Sequence, residues 1–558
     1  MKKYILYLTG LLLPFCWQCA DFIDVHPENS TTYTNYFNSE KDAEALLTDL
    51  QVKTTNIFSK NWNSNIADQV HKYYEGWGVP NMLGEWSCNH SWQEFASLVF
   101  QANLIIDNAH RFNLPQETLK PYLLQAYFTK GVCYFYMAMI WGEAPIFLNT
   151  TTFEKIAKSS MAQLLEEAEN NALKAMELPS YEELVTNTTY KRMKQYGSKG
   201  ATAALLAHIH AWKAGVLGIK ESWQKAEDYC SMIIDGKAGL YSLANNPEEV
   251  CVNVMKGDSP EAIWEIYGNA AENVAYAKNI SYIGFPIITN GNYYPGNYKT
   301  PCLSRDKVKE KYPQGDLRRN SYYWATDADY IYLNQIDGEV KPGLEPIGEV
   351  LVTYDLDAIV EDNSSWLGEY PFSESYLIKF RYPYYEFDNW SQQPAYKGLQ
   401  QNKVIWRLAE IYLLRAECRA RQSKANAVED LNLIRARAYG NLDNGNIVDP
   451  SRVSEYSFPC ADDIKNGWDS DIQLAIFKER EKELLYEGHR YYDIVRNGMC
   501  FIRGEESYDY IRKEISPAYE QLTDQDIQDG ALYSRIDENC FKNNDLMRQN
   551  RYWNRRIQ

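Results

Sequence analysis

The sequence predicts a mainly α protein built from successive helical hairpins, with a long loop-rich region laid against them. Three observations carry this. Apolar residues recur at helical spacing behind capping residues over most of the chain. That periodicity fades between about Lys237 and Gln401, where tyrosine, tryptophan, proline and glycine crowd in. The length, 558 residues, is enough for a large core and more than one structural region.

Taken in order, Ser39-x-x-Asp42 has the form of a capping box and opens a helix reaching about Ile57. Ser91-Trp92-Gln93-Glu94 has the same form and opens "WQEFASLVFQANLIIDNAHRF", in which Phe95, Val99, Ala102 and Ile106 share one face. The next helix, about Leu119 to Trp141, stops at Gly142 with Pro145 beyond. Ser160-x-x-Gln163 opens another, which ends before Pro179. "GATAALLAHIHAWKAGVLG" is alanine-rich and suits close helix contact, and "SWQKAEDYCSMIIDG" closes at Gly236. These are hairpins of the tetratricopeptide-like kind, without the strict consensus of that repeat. The region from Lys237 to Gln401 reads as long loops with short strands, and loops of that length in a compact protein are usually functional. Helices return in "VIWRLAEIYLLRAECRARQ", "ANAVEDLNLIRARAYG" and "DIQLAIFKEREKELLYEGHRYYDIVRNG".

The N-terminus is a leader. Lys2 and Lys3 precede an apolar run from Ile5 to Phe15, which at roughly a dozen residues is too short to span a bilayer and matches a signal-peptide core. Behind it Cys16 and Cys19 form a C-x-x-C pair. A redox dithiol needs a helix N-terminus after a strand, and a zinc site needs two more ligands at suitable spacing; neither follows. The remaining reading is a lipoprotein signal, residues 1–18, with Cys19 acylated. Trp17 and Gln18 stand where small residues usually precede such a cysteine, and an ordinary signal peptide with incidental cysteines is the alternative.

A net charge of -18 argues against a nucleic-acid partner, which needs basic patches. The eleven cysteines are spread singly, several of them inside apolar helical stretches, and do not form a disulfide framework. There are seven histidines and no H-E-x-x-H, and no phosphate loop, dinucleotide fingerprint or nucleophile elbow is present. No cofactor or metal is expected.

Opposed charges crowd the C-terminal helices: Arg407, Glu410, Arg415 and Glu417 in one, and Glu479, Glu483 and Glu487 in another, with Arg480, Arg490, Asp493 and Arg496 nearby. Two carboxylates ~5–9.5 Å apart would suit a glycosidase. So many arginines, however, would hold them ionised, whereas a general acid must keep its proton. Inter-helix ion pairing is the stronger reading.

The sharpest compositional deviation is 44 tyrosines and 15 tryptophans. Their rings stack on the C–H faces of sugars while Asn, Asp and Arg bond the hydroxyls. Two stretches could build such a platform. The first, Asn61 to His90, carries Trp62, Asp68, Tyr73, Tyr74, Trp77 and Trp86. The second, in the middle region, carries Tyr293, Tyr294, Tyr298, Tyr322, Tyr323, Trp324, Trp366 and Trp390. From these, Asp68, Tyr73, Trp77, Trp86, Tyr293, Tyr294, Trp324 and Trp366 are the candidate ligand-binding residues. Packing of each ring beneath its own loop is the competing account for any single one.

The chain resembles the SusD/RagB family of surface lipoproteins. The resemblance begins at "CADFIDVHPENS", continues in "FQANLIIDNA" and "LLQAYFTKGVCYFYMAMIWGEAP", and is strongest in "RLAEIYLLRAECRA", "DLNLIRARA" and "EREKELLYEGHRYYDIVRNG". It implies a right-handed superhelix of tetratricopeptide-like helical hairpins with a long irregular loop-rich region packed against it. The expected division is 19–236 for the N-terminal helical region, 237–401 for the ligand-binding insertion and 402–558 for the C-terminal helical region. The resemblance also implies an outer-membrane, cell-surface protein anchored through Cys19. Such a protein is no enzyme; it captures a glycan for a SusC-like TonB-dependent transporter. Peptide or glycoprotein capture is the near alternative, and a helical glycoside hydrolase the distant one.

Overall fold

A computed structural model describes residues 36–59, 89–152, 154–185, 193–269, 302–324, 374–380, 382–388, 393–501 and 522–556, with isolated positions at 272, 274, 326–327, 330–331 and 370–371. The first helix, α1 (Glu40–Phe58), opens with the predicted capping box: Ser39 N–H and Oγ both donate to the Asp42 carboxylate. A two-residue strand β1 (Asn89–His90) precedes α2 (Gln93–Asp107). Here Trp92, and not Ser91, is the N-cap; Ser91 Oγ accepts from Gln93 N, so the box predicted at Ser91 does not form. Helix α3 (Gln116–Trp141) begins just after Pro115, whose fixed φ suits a helix start, and ends at Gly142 with φ +73°. Ser160 and Gln163 cap α4 (Met161–Ala175) reciprocally, as predicted.

Helix α5 (Lys199–Gly215) follows, and from Gly200 to Gly215 every residue except Lys213 is buried. Alanine on all sides allows neighbours on all sides, and α5 packs against α4 and α6 (Ser222–Ile234). Packing runs in chain order: α1 on α2, α2 on α3, α3 on α4, α4 on α5 and α5 on α6. Such stacked hairpins bury a continuous core that no single hairpin could make alone.

The middle region is built from short strands. Strand β2 (Ala262–Ile266) is followed by β3 (Cys302–Ser304), α7 (Arg305–Lys311), α8 (Arg318–Ser321), β4 (Tyr323–Trp324) and β5 (Glu374–Leu377). β5 is the middle strand of a three-stranded antiparallel sheet with β3 and β4. Strands β6 (Pro383–Asp388) and β7 (Gln393–Leu399) form a hairpin. A second core, including Val250, Leu303, Tyr312, Tyr322, Leu377 and Phe380, lies under this region and is closed by Leu485 and Tyr486.

The chain returns through β8 (Lys403–Arg407), antiparallel to β2. This corrects the sequence reading, which ran the helix from Val404. Val404, Ile405 and Trp406 are β-branched or aromatic and gain a strand partner that lies about 140 residues away in the chain. The helix proper, α9 (Leu408–Arg421), packs on α6, on α10 (Ala427–Ala438) and on α11 (Ile472–Glu483). Tyr486 and Gly488, both at positive φ, turn the chain into α12 (Arg490–Phe501). Strand β9 (Arg535–Ile536) pairs in parallel with β1, and α13 (Arg551–Arg556) ends the described chain.

Candidate functional site

The two aromatic-rich stretches leave the scaffold at neighbouring places. The first departs after α1, whose Phe58 ring lies 5.4 Å from Trp264 of β2 and 5.8 Å from Phe95 of α2. Trp264 lies 5.0 Å from Trp406 of β8, which stacks at 5.4 Å on His208 of α5. The strands that carry the chain into and out of the middle region therefore rest on the ring where the first stretch begins. All of these rings except His208, which keeps 7% exposure, are more than 95% buried and make T-shaped, tilted or stacked pairs.

One buried amide locks the two roots together. Gln195 Nε2 donates to Gln51 Oε1 of α1 at 3.0 Å, and its Oε1 accepts from Thr55 Oγ1 of α1 and from the Tyr267 N–H just beyond β2. Its backbone oxygen takes the Trp264 indole N–H at 2.9 Å. All of these bonds are buried except the half-buried one from Tyr267, so losing the side chain would orphan partners on both roots. Lys194 next to it donates to the carbonyls of Ser259 and Ala262.

Past β2 and before β8 the two chain segments are tied edge to edge. Gly268 N donates to Asn402 Oδ1, Asn402 Nδ2 donates to Glu265 Oε1 at 2.8 Å, and Gln400 Nε2 donates to Asn269 Oδ1. A Cβ on Gly268 would lie 2.1 Å from the Gln401 carbonyl oxygen, so only glycine permits this approach. Burial pushes the Glu265 carboxyl up to about 7, and the Asp258 charge adds to the effect.

Of the residues singled out from sequence, Asp68, Tyr73, Trp77, Trp86, Tyr293, Tyr294, Trp366 and Cys19 lie outside the described residues, as do Trp62, Tyr74, Tyr298 and Trp390. Trp324 is on β4, with its backbone paired to Tyr376 of β5. Tyr322 and Tyr323 do not belong to an exposed platform. Both are buried, and the Tyr322 hydroxyl faces Glu483 while Lys379 Nζ sits 4.4 Å from its ring centroid. They are core residues of the second cluster.

The charged C-terminal helices form a buried ion-pair lattice. Arg407 closes its Nε and Nη2 on Glu487 at 2.6 and 2.7 Å, reaches Glu261 with Nη1, and shares Glu483 with Arg437. Arg318 bridges Asp316 and Glu479, and Arg435 joins Glu479 to Asp469. Burial alone would raise the Glu479 and Glu483 carboxyls; the surrounding guanidiniums overcome it and hold both at about 2. A carboxyl so held carries no proton to give to a leaving group at neutral pH, and these residues act as scaffold. Sequence reasoning missed Glu261, Arg318 and Lys379, because each meets its helix partners more than 100 positions away, and with them Asp316, which pairs with Arg318. Among the described residues no group of three His, Cys, Asp or Glu side chains could hold a metal ion, and no helix is long and apolar enough to cross a membrane.

Comparison with known proteins agrees with this architecture. The family model described as SusD family matches residues 264–554, and one described as starch-binding associating with outer membrane matches residues 21–210. The SusD-like protein P25 of Formosa agariphila is 22% identical over 534 residues, covering 89% of this chain and 90% of that protein. The SusD-like protein P38 of the same organism is 24% identical over 535 residues, covering 89% and 92%. A SusD homolog from Bacteroides thetaiotaomicron superposes with a TM-score of 0.63 at 19% identity, covering 92% of this chain and 98% of that one. A laminarin-binding SusD-like protein superposes with a TM-score of 0.59 at 17% identity, covering 92% and 99%. With more than half its length matched by the family model, and with the helical hairpins, the strand-rich middle region and the charged C-terminal helices in place, this chain belongs to the SusD/RagB family.

Proposed function

We propose that this chain is a cell-surface lipoprotein, anchored through Cys19, that captures an oligo- or polysaccharide and delivers it to a SusC-like TonB-dependent transporter. It is a binder and not an enzyme. The observation that carries the reading is the common root of the two aromatic-rich stretches on the Phe58–Trp264–Trp406 cluster. Loops that leave one rigid point can present their rings to one ligand, whereas loops rooted at opposite ends could not. The family description and the laminarin-binding relative support a glycan as that ligand. Asp68, Tyr73, Trp77, Trp86, Tyr293, Tyr294, Trp324 and Trp366 are the residues assigned to the sugar. The buried, ionised Glu479 and Glu483 supply no general acid, which favours capture over cleavage.

Calorimetric titration of the mature chain against plant, host and microbial glycans tests this directly. Millimolar to micromolar binding to one glycan class, with no product formed and with binding lost when Trp77, Trp86 and Trp324 are together changed to alanine, is the expected result. Binding of peptides alone, or release of shortened glycan by the pure protein, would overturn it.

A further inference from the structure

The first aromatic-rich stretch, Asn61 to His90, rejoins the scaffold through the far end of the chain. Its last two residues are β1, and β1 pairs in parallel with β9, Asn89 with Arg535 and His90 with Ile536. A parallel ladder this short holds little by itself, so β9 is only as well placed as whatever fixes its other edge. One side chain does this. Gln549 Oε1 accepts the Ile536 N–H at 3.1 Å, and Gln549 Nε2 donates to the Ile536 carbonyl at 2.9 Å. Successive residues of a strand turn their N–H and C=O groups to opposite edges. The Gln549 amide therefore takes the place of a third strand on the edge of β9 turned from β1. Ile536 is fully buried, so both of its backbone groups need these partners.

The same C-terminal segment is fixed to the end of α3. A helix leaves its last carbonyls without partners of its own, and at α3 the segment supplies two. Ser534 N donates to the Ile140 carbonyl at 2.8 Å, and Asn550 Nδ2 to the Trp141 carbonyl at 3.2 Å. Asn550 N also donates to Gln549 Oε1 at 3.0 Å, so the clamp on Ile536 and the cap on Trp141 are neighbouring residues joined by a hydrogen bond. Both ends of the stretch converge on the Trp141 ring. It lies 6.0 Å from Trp92, just past β1, and 5.6 Å from Phe95, which lies 5.8 Å from Phe58, just before the stretch begins.

We propose that Gln549 is a positioning residue for the ligand surface: by closing the free edge of β9 it sets where the first aromatic-rich stretch rejoins the scaffold, and through that the affinity for glycan. This rests on the glycan-capture reading and adds to it a residue outside both aromatic-rich stretches. A slip of one residue along β9 would put Arg535 or Asp537 opposite the amide, with their backbone groups turned the other way. The clamp therefore admits a single register.

The test compares the purified full-length wild type with Gln549→Met, which keeps the length of the side chain and removes the amide. Backbone amide exchange is read by mass spectrometry, and binding of laminarin and soluble starch by calorimetry. Exchange across residues 89–92 is expected to rise about 10-fold while that of α5 is unchanged. Affinity for the glycan should fall about 3- to 10-fold, the value of one neutral hydrogen bond. That fall should shrink in a Trp77→Ala background, because the two changes act through one stretch. Asn544→Ala breaks the bond of the same segment to the Ile156 carbonyl and should leave both readouts unchanged. If Gln549→Met lowers the melting temperature, Gln549→Glu, which keeps the acceptor for the Ile536 N–H, carries the comparison. Unchanged exchange at residues 89–92, or equal falls in affinity with and without Trp77, overturns the positioning role and leaves glycan capture standing. Silence of the wild type toward both glycans, and toward the wider panel, takes down capture and this role together.

Discussion

Glu483 is the most heavily shared carboxylate in the ion-pair lattice. Its Oε1 accepts from Arg407 Nη2 at 2.8 Å, Arg437 Nη2 at 2.6 Å and the Tyr322 hydroxyl at 3.3 Å, and its Oε2 from Arg318 Nη1 at 3.3 Å. Replacing it by glutamine keeps the shape and removes the charge. A carboxyl held at about 2 against an ordinary 4.5 contributes about 3 kcal/mol at neutral pH. Removing one partner of a buried pair, which strands its cations, independently costs about 3–5 kcal/mol. Glu483→Gln should therefore lower unfolding free energy by about 3 kcal/mol at pH 7, read by denaturant titration. Because the folded-state pKa is depressed, the wild type holds this contribution above about pH 4.5 and loses it as pH falls toward 2, where the two proteins should converge. Arg452→Ala is the control: its pair with Glu455 is exposed and i,i+3, worth about 0.5 kcal/mol or less. A loss below about 1 kcal/mol for Glu483→Gln, or a difference that persists undiminished at pH 2, would refute the lattice as a stabilising device.

Three further outcomes follow from the ties between the segments flanking β2 and β8 and from the anchor. The raised pKa of Glu265 means that its contribution to stability is fully present below about pH 4.5 and is lost as pH rises through 7, by about 3 kcal/mol across that window; Glu265→Gln should flatten the slope, seen as a pH-independent melting temperature. Gly268→Ala places a Cβ 2.1 Å from a backbone oxygen, and should cost about 1–3 kcal/mol and speed amide exchange at Asn402; an unshifted melting temperature would show that this close approach yields freely. Cys19→Ala should abolish incorporation of labelled fatty acid while Cys16→Ala leaves it intact; loss of label in the Cys16 variant alone would move the cleavage site.

What was legible in the sequence was local. Ser39 with Asp42 and Ser160 with Gln163 are three residues apart, and both caps formed as read. Gly142 ends α3 because its positive φ is written in one residue. The box read at Ser91 is a local exception, because Trp92 takes the N-cap instead; the other errors share the opposite character. Val404 to Trp406 have the apolar content of a helix start, and only β2, far away in the chain, makes them a strand. Tyr322 and Tyr323 sit among loop-like aromatics, yet both are buried, and Tyr322 meets Glu483, 161 positions away and farther than any periodicity reaches, with Lys379 over its ring. Charge told the same story by halves: Glu479, Glu483 and Glu487 were visible as a four-residue step, but not Arg318, Lys379 or Glu261, which complete them.

That division has a physical reason with consequences for the site. A helix is specified by its own residues, so scaffold positions can be read one segment at a time. How remote segments are brought to one place cannot be read that way, and the agents that do it here are buried and half-buried polar side chains. Gln195 joins α1 to β2, Asn402 joins β8 to β2, and Lys379 and Arg318 pin the middle region to α11 and to the turn that follows it. None of these carries a motif. Gln195, Lys379 and Arg318 are buried and Asn402 is half-buried, so each needs its partners present, and together they fix where the two aromatic-rich stretches leave the scaffold. On the proposed reading, glycan specificity would change by substitution in the two aromatic-rich stretches while the ties between α1, β2 and β8 stay the same, which would make Gln195 and Asn402 positioning residues.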